Sequence, residues 1–157
     1  MADVFDTKKR SEVMSRIRGK GNKSTELALA EVFRQIGIKG WRRQVVIKLR
    51  PKASLGPSSK NQAMVLVIKP DFVFRRERVA VFTDGCFWHR CPRHSNLPEG
   101  NREFWQQKLA RNVERDRLAN RELKKAGWRV VRVWEHELAI DSAALAEKLL
   151  RSLHQTP

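Results

Sequence analysis

Asp71-Phe-Val-Phe-Arg-Arg-Glu-Arg-Val-Ala-Val-Phe-Thr-Asp84 holds two apolar runs, residues 71–74 and 79–82, on either side of a charged joint from Arg75 to Arg78. Aromatic and β-branched runs with so short a connection read as a β-hairpin. In an antiparallel pair with a tight turn, the start of the first strand lies beside the end of the second, so Asp71 and Asp84 can converge on one ion. The chain then runs directly into Gly85-Cys-Phe-Trp-His-Arg-Cys-Pro-Arg-His94, which holds both cysteines and two of the four histidines of the protein. Such residues have little use in a core and much use in a site.

Upstream, residues 41–49 carry the run Val45-Val-Ile47 and residues 64–68 carry another, so two strands are expected, joined by a basic loop over residues 50–62. Residues 1–24 are polar and basic and support at most a short helix over 11–18. Asn22 or Ser24 can cap a second helix that ends near Ile36, where Gly37 provides a stop. On its apolar face lie Leu29, Ala30, Phe33 and Ile36, with Glu26 at the edge. A carboxylate there either needs a partner or favours the helix N-terminal dipole.

Downstream, residues 101–126 read as one long helix closed by Gly127. At ~100° per residue, Trp105, Leu109, Val113 and Leu123 share a stripe, and Asn112 and Asp116 fall inside it, which favours site-facing or supporting roles over a solvated helix flank. A buried strand over 128–135 follows, ended by Glu135-His-Glu137. The last helix, capped by Asp141 or Ser142, carries Leu145, Ala146, Leu149, Leu150 and Leu153 on one side. This order predicts an α/β fold, a mixed central sheet flanked by helices.

The chain has 157 residues, 41% of them hydrophobic, which suits one domain over 1–157. With no apolar run near ~18 residues and no charged-apolar leader, neither a membrane span nor secretion is expected, and the cytoplasm is the expected compartment. A net charge of +16 and a pI near 10.9 call for a polyanion, with nucleic acid the leading partner. An anionic membrane fits less well, because the basic residues are scattered and do not line one helix face.

Zinc in a closed structural site takes four nitrogen or sulfur ligands. Cys86, Cys91 and His94 offer three, and His136 at a strand end is the expected fourth. His89, between the cysteines, competes for that fourth place, but beside the acids it is better used as an acid or base; His154 receives no role. Oxygen-ligated magnesium is bound through one or two carboxylates, a need that Asp71 and Asp84 fit. Phe87 and Trp88 either pack over the metal loop or enter DNA between base pairs.

Phe82-Thr-Asp-Gly-Cys-Phe-Trp-His89, Arg102-Glu-Phe-Trp105, Lys108, Asn112-Val-Glu-Arg-Asp116 and Gly127-Trp-Arg-Val-Val-Arg-Val-Trp-Glu135 together resemble the very-short-patch-repair DNA mismatch endonuclease family. The resemblance runs from about Ser11 to Glu137. It implies a restriction-endonuclease-like core, a structural zinc, and a magnesium-dependent nick on the 5′ side of the thymine in a T·G mismatch, the lesion left by deaminated 5-methylcytosine. By position it implies Asp71 as the metal carboxylate, Thr83 as a metal contact through its backbone carbonyl, and His89 as the acid/base group. Asp116 and Glu26 would be supporting acids, and Met14, Phe87 and Trp88 the intercalating set, with Asn112 counted among the DNA-facing residues. Family members can carry histidine at the position of Asp84, so Asp84 is expected as a second metal ligand or as the base. They can also carry cysteine at the position of His136, and the basic insertion at 50–62 has no counterpart. The expected partner is double-stranded DNA, met by a monomer in the nucleoid, with other repair proteins nearby. Two other readings stand beside this one: a restriction-type nuclease indifferent to mismatches, and a zinc-stapled DNA-binding module without turnover. The convergent acids argue against the module, since acids repel phosphate.

Overall fold

The computed structural model describes residues 25–50, 65–94, 96–140 and 142–154. In chain order the elements are α1 (Glu26–Gln35), β1 (Trp41–Arg43), β2 (Ile47–Leu49), β3 (Leu66–Ile68), β4 (Phe72–Phe74), β5 (Val79–Asp84), α2 (Arg102–Lys125), β6 (Arg129–Trp134), α3 (Glu135–Ile140) and α4 (Ser142–His154). The expected helix at 11–18, the basic segment 1–24 with Met14, the cap candidates Asn22, Ser24 and Asp141, and nearly all of the 50–62 loop lie outside the described residues.

The hairpin forms as the sequence predicts. Phe72 pairs with Val81 and Phe74 with Val79, antiparallel, across the turn at 75–78. All three residues of β4 are buried. A strand without polar alternation must be covered on both faces. One face of the sheet packs Phe72, Phe74, Val79 and Val81 against Leu29 and Phe33 of α1 and Leu145 and Leu149 of α4. The other packs Val73 and Ala80 against Leu123 of α2 and the β2–β3 ribbon. Phe33 meets Phe72 and Phe74 edge-on at 5.1 and 5.5 Å, the favoured geometry for aromatic pairs.

The central sheet runs β1-β4-β5-β6, with β5 and β6 parallel in the register Val79↔Arg129 to Asp84↔Trp134. Parallel neighbours need a long crossover. The long helix α2 supplies it, closed by Gly127 at φ 77° as expected. The sheet is therefore mixed and flanked by helices, and no helix among the described residues is long and apolar enough to cross a membrane.

Two boundaries differ from expectation. Residues 41–49 are not one strand: Gln44 adopts φ 59°, and the turn it makes sends β1 to β4 and β2 into a separate ribbon with β3. A left-handed Gln carries a steric cost that local propensity would not choose, so tertiary pairing must impose it. The stretch Glu135-His-Glu137 opens a helix where only a strand end was expected. Its cause is local, because Glu137 Oε2 accepts the Trp134 backbone N–H at 2.7 Å, the reach-back half of a capping box.

Candidate active site

The hairpin carries Asp71 to the end of β5. Asp71 Oδ2 accepts the Thr83 backbone N–H at 2.7 Å and its hydroxyl at 3.0 Å, while Oδ1 takes no hydrogen bond from the described residues. Burial pushes the Asp71 carboxyl up. The Thr83 hydrogen bonds oppose that, and the charges of Glu26 and Asp84 add to it. Asp71 therefore lies in the negative field of two further acids, each of them held by an arginine. Glu26 is buried in the first turn of α1, and its Oε2 holds Arg43 Nη2 at 2.5 Å, so it has a partner as well as the dipole.

Helix α2 brings the second group. The inward stripe puts Asn112 and Asp116 against the loop after β5. Asn112 Nδ2 donates to the Trp88 carbonyl at 3.2 Å, and Asp116 Oδ2 lies 2.5 Å from His89 Nδ1. Burial alone would raise the Asp116 carboxyl, but the His89 hydrogen bond and the Arg132 charge outweigh it and hold it below the usual carboxylate range. An ionised carboxylate only accepts. His89 Nδ1 therefore carries the proton, and Nε2, which has no partner among the described residues, is left as the exchangeable position.

Asp84 is buried, at 1% exposure. The sequence suggests it as a metal ligand or base, yet both of its oxygens are committed: Arg132 Nε meets Oδ2 at 2.5 Å and Nη2 meets Oδ1 at 2.6 Å. Arg132 was given no role by its sequence. The available signal was a lone charge in the apolar run Val130 to Trp134, which a buried strand carries only with a partner. Asn120, whose Oδ1 accepts from Arg132 Nη1 at 3.1 Å, is a further partner that local sequence does not mark.

On the other side of the loop, one donor atom each from Cys86, Cys91, His94 and His136 lies within 4.8 Å of the others. His136 Nδ1 stands 3.3 Å from Cys86 Sγ and 3.6 Å from Cys91 Sγ, and His94 Nδ1 stands 3.7 Å from Cys91 Sγ. Two ligands of a tetrahedral zinc, at ordinary Zn–S and Zn–N lengths, stand about 3.5 Å apart. Both the donor set and its spacing fit. Burial pushes the Cys86 thiol up, with Cys91 and Glu135 adding to this against a lowering contact from His136.

Phe87 and Trp88 lie in this loop. Their rings meet at 5.1 Å, and both pack on Trp105 of α2, at 5.3 and 6.1 Å. Lys108 Nζ sits 5.5 Å from the Trp88 ring.

Residues 46–94 match the family described as DNA mismatch endonuclease Vsr. The type II nicking enzyme V.NmeAIP of Neisseria meningitidis serogroup A is 34% identical over 157 residues, covering 99% of this chain and 96% of that one. This chain belongs to the Vsr endonuclease family. The type II nicking enzyme V.NaeI of Lentzea aerocolonigenes is 55% identical over 86 residues, 55% of this chain and 52% of that one. DNA mismatch endonuclease Vsr of Escherichia coli K12 is 43% identical over 88 residues, 52% of this chain and 55% of that one. As a Vsr-family endonuclease the protein is a nuclease acting on DNA, which accounts for a charge of +16.

Proposed function

We propose that this Vsr-family enzyme nicks one strand on the 5′ side of the thymine in a T·G mismatch, by magnesium-dependent hydrolysis, as the first step of very short patch repair. The observation that carries the chemistry is a carboxylate, Asp71, with one oxygen unengaged by the described residues, together with an imidazole whose Nδ1 is tied to Asp116 and whose Nε2 has no partner among them. Asp71 and the Thr83 backbone carbonyl would hold the magnesium, with Glu26 adding negative charge behind them. Bound there, the ion neutralises the phosphate and acidifies a water. His89 Nε2 takes a proton from the attacking water or returns one to the leaving oxygen, and Asp116 stabilises the imidazolium that forms. Asp84, with both oxygens on Arg132, supports this geometry and does not ligate the metal.

Cys86, Cys91, His94 and His136 hold a structural zinc that ties the loop carrying His89 to α3. Four protein donors leave no open position, so the ion staples and does not react. Phe87 and Trp88 act as the wedge, braced by Trp105, with Met14 as a further intercalating residue and Asn112 fixing the loop behind them. The core is of restriction-endonuclease type, one domain acting as a monomer on nucleoid DNA, with residues 1–24 and 50–62 adding basic contacts to the backbone.

A second reading, nicking at a sequence irrespective of mismatch, is favoured by the relatives named type II nicking enzymes. Single-turnover nicking of matched and T·G duplexes, each with and without magnesium, separates the two. The mismatch reading requires cutting of the T·G duplex alone and only with the ion. Equal rates on both duplexes would support the second reading, and cutting in EDTA would remove the magnesium role.

A further inference from the structure

Arg132 stands between Val131 and Val133 in β6, and its side chain is only 18% exposed. A guanidinium keeps its charge and projects five N–H donors in one rigid plane, so it is tolerated in such a place only when acceptors meet it. Here they do. Nε and Nη2 clasp the two oxygens of Asp84 at 2.5 and 2.6 Å, and Nη2 also reaches Asp116 Oδ1 at 3.2 Å. Nη1 donates to Asn120 Oδ1 at 3.1 Å, and the guanidinium lies over the Phe82 ring at 5.0 Å. The parallel register makes this possible, because it sets Arg132 opposite Phe82, two residues before Asp84.

The two oxygens of Asp116 are divided between neighbours: Oδ1 faces Arg132 and Oδ2 faces His89 Nδ1 at 2.5 Å. A carboxylate is planar, so anchoring one oxygen orients the other. Asp84 Oδ1 lies 3.6 Å from the same His89 nitrogen, which would make it a competing acceptor if it were free. Arg132 takes both Asp84 oxygens and leaves Asp116 Oδ2 as the short contact. We infer that Arg132 is a positioning residue of the active site, a clamp on Asp84 and Asp116 that holds His89 in one orientation and one tautomer with Nε2 toward the phosphodiester. The inference rests on His89 being the acid/base group proposed above.

The informative variant is Arg132→Lys, which keeps the charge and loses the fork, since one ammonium cannot repeat a planar clasp that meets Asp84, Asp116 and Asn120 from three nitrogens. Zinc-replete, magnesium-free, ¹⁵N-labelled protein is compared by NMR of the histidine rings, beside single-turnover nicking and duplex affinity with magnesium. In the wild type the His89 ring proton resides on Nδ1 and is protected from exchange. Arg132→Lys and Arg132→Met lose that signature and nick ~10-fold or more slowly, with the Kd for the T·G duplex within about threefold of wild type. Free guanidinium at millimolar concentration restores part of the rate to Arg132→Ala. Should Arg132→Met fail to fold, Arg132→Lys and the guanidinium rescue carry the test. Nicking by Arg132→Lys within twofold of wild type overturns the clamp, and so does slow nicking with the His89 signature intact. A His89→Ala protein at the wild-type rate would instead remove the acid/base role of His89, while the NMR comparison would still report on the clamp.

Discussion

Replacing Asp116 by Asn keeps the shape of the side chain and inverts what it offers His89. The Asn carbonyl would stay on Arg132 Nη2, where Asp116 Oδ1 now sits at 3.2 Å, because a guanidinium accepts nothing. The amide NH₂ then faces His89 Nδ1, which in the native protein lies 2.5 Å from Asp116 Oδ2. To meet a donor, Nδ1 must give up its proton, and the proton moves to Nε2, the position that should be free to take one. The lost charge-assisted hydrogen bond is worth about 1.5–3 kcal/mol. Carried fully into the transition state, that is roughly 10- to 150-fold in rate, and the wrong tautomer adds to it. Asp116→Asn should therefore slow single-turnover nicking of a T·G duplex by about 10²-fold or more, with duplex affinity nearly unchanged. Asp116→Ala, which leaves Nδ1 free to keep its proton, should be the faster of the two variants. A rate for Asp116→Asn within threefold of wild type, or an Asn variant faster than the Ala variant, refutes the tautomer argument.

Asp71→Asn should abolish nicking and retain duplex binding. Burial holds the Asp71 carboxyl above its ordinary value, so its ionisation destabilises the fold as pH rises past the unfolded value near ~4. The Asn variant, still able to accept from Thr83, should accordingly melt higher than wild type at neutral pH without magnesium, with the gap closing below about pH 4; equal melting at pH 7 would contradict the burial argument. Cys91→Ser should lower the bound zinc measured by elemental analysis and lower Tm, since metal binding contributes folding free energy; full zinc content with unchanged Tm would dismiss the staple. Arg78 donates to the Ala126 and Gly127 carbonyls at 2.5 and 3.1 Å and lies over Trp128, so Arg78→Ala should cost about 1 kcal/mol at the end of α2, or ~2–4 °C in Tm, without slowing the nick.

Much of the architecture was legible because the interactions that set it are close in sequence. The 71–84 hairpin follows from two apolar runs and one short joint, and it alone brings Asp71 to Thr83. The 3.6-residue period of α2 turns Asn112 and Asp116 onto its apolar stripe whatever the rest of the fold does. Cys86, Cys91 and His94 lie within one loop, so their convergence is a local matter. The rest belongs to pairings between distant segments, which local propensity does not encode. Gln44 takes its left-handed turn because β1 and β2 answer to different sheets. His136, the fourth donor expected from the sequence, reaches the other three only because β6 delivers α3 to the loop. Arg132 looks like an error in an apolar strand until the parallel register of β5 and β6 sets it beside Asp84, 48 residues earlier. A buried charge is admissible only where its partner is, and a partner so far along the chain is chosen by the tertiary structure alone.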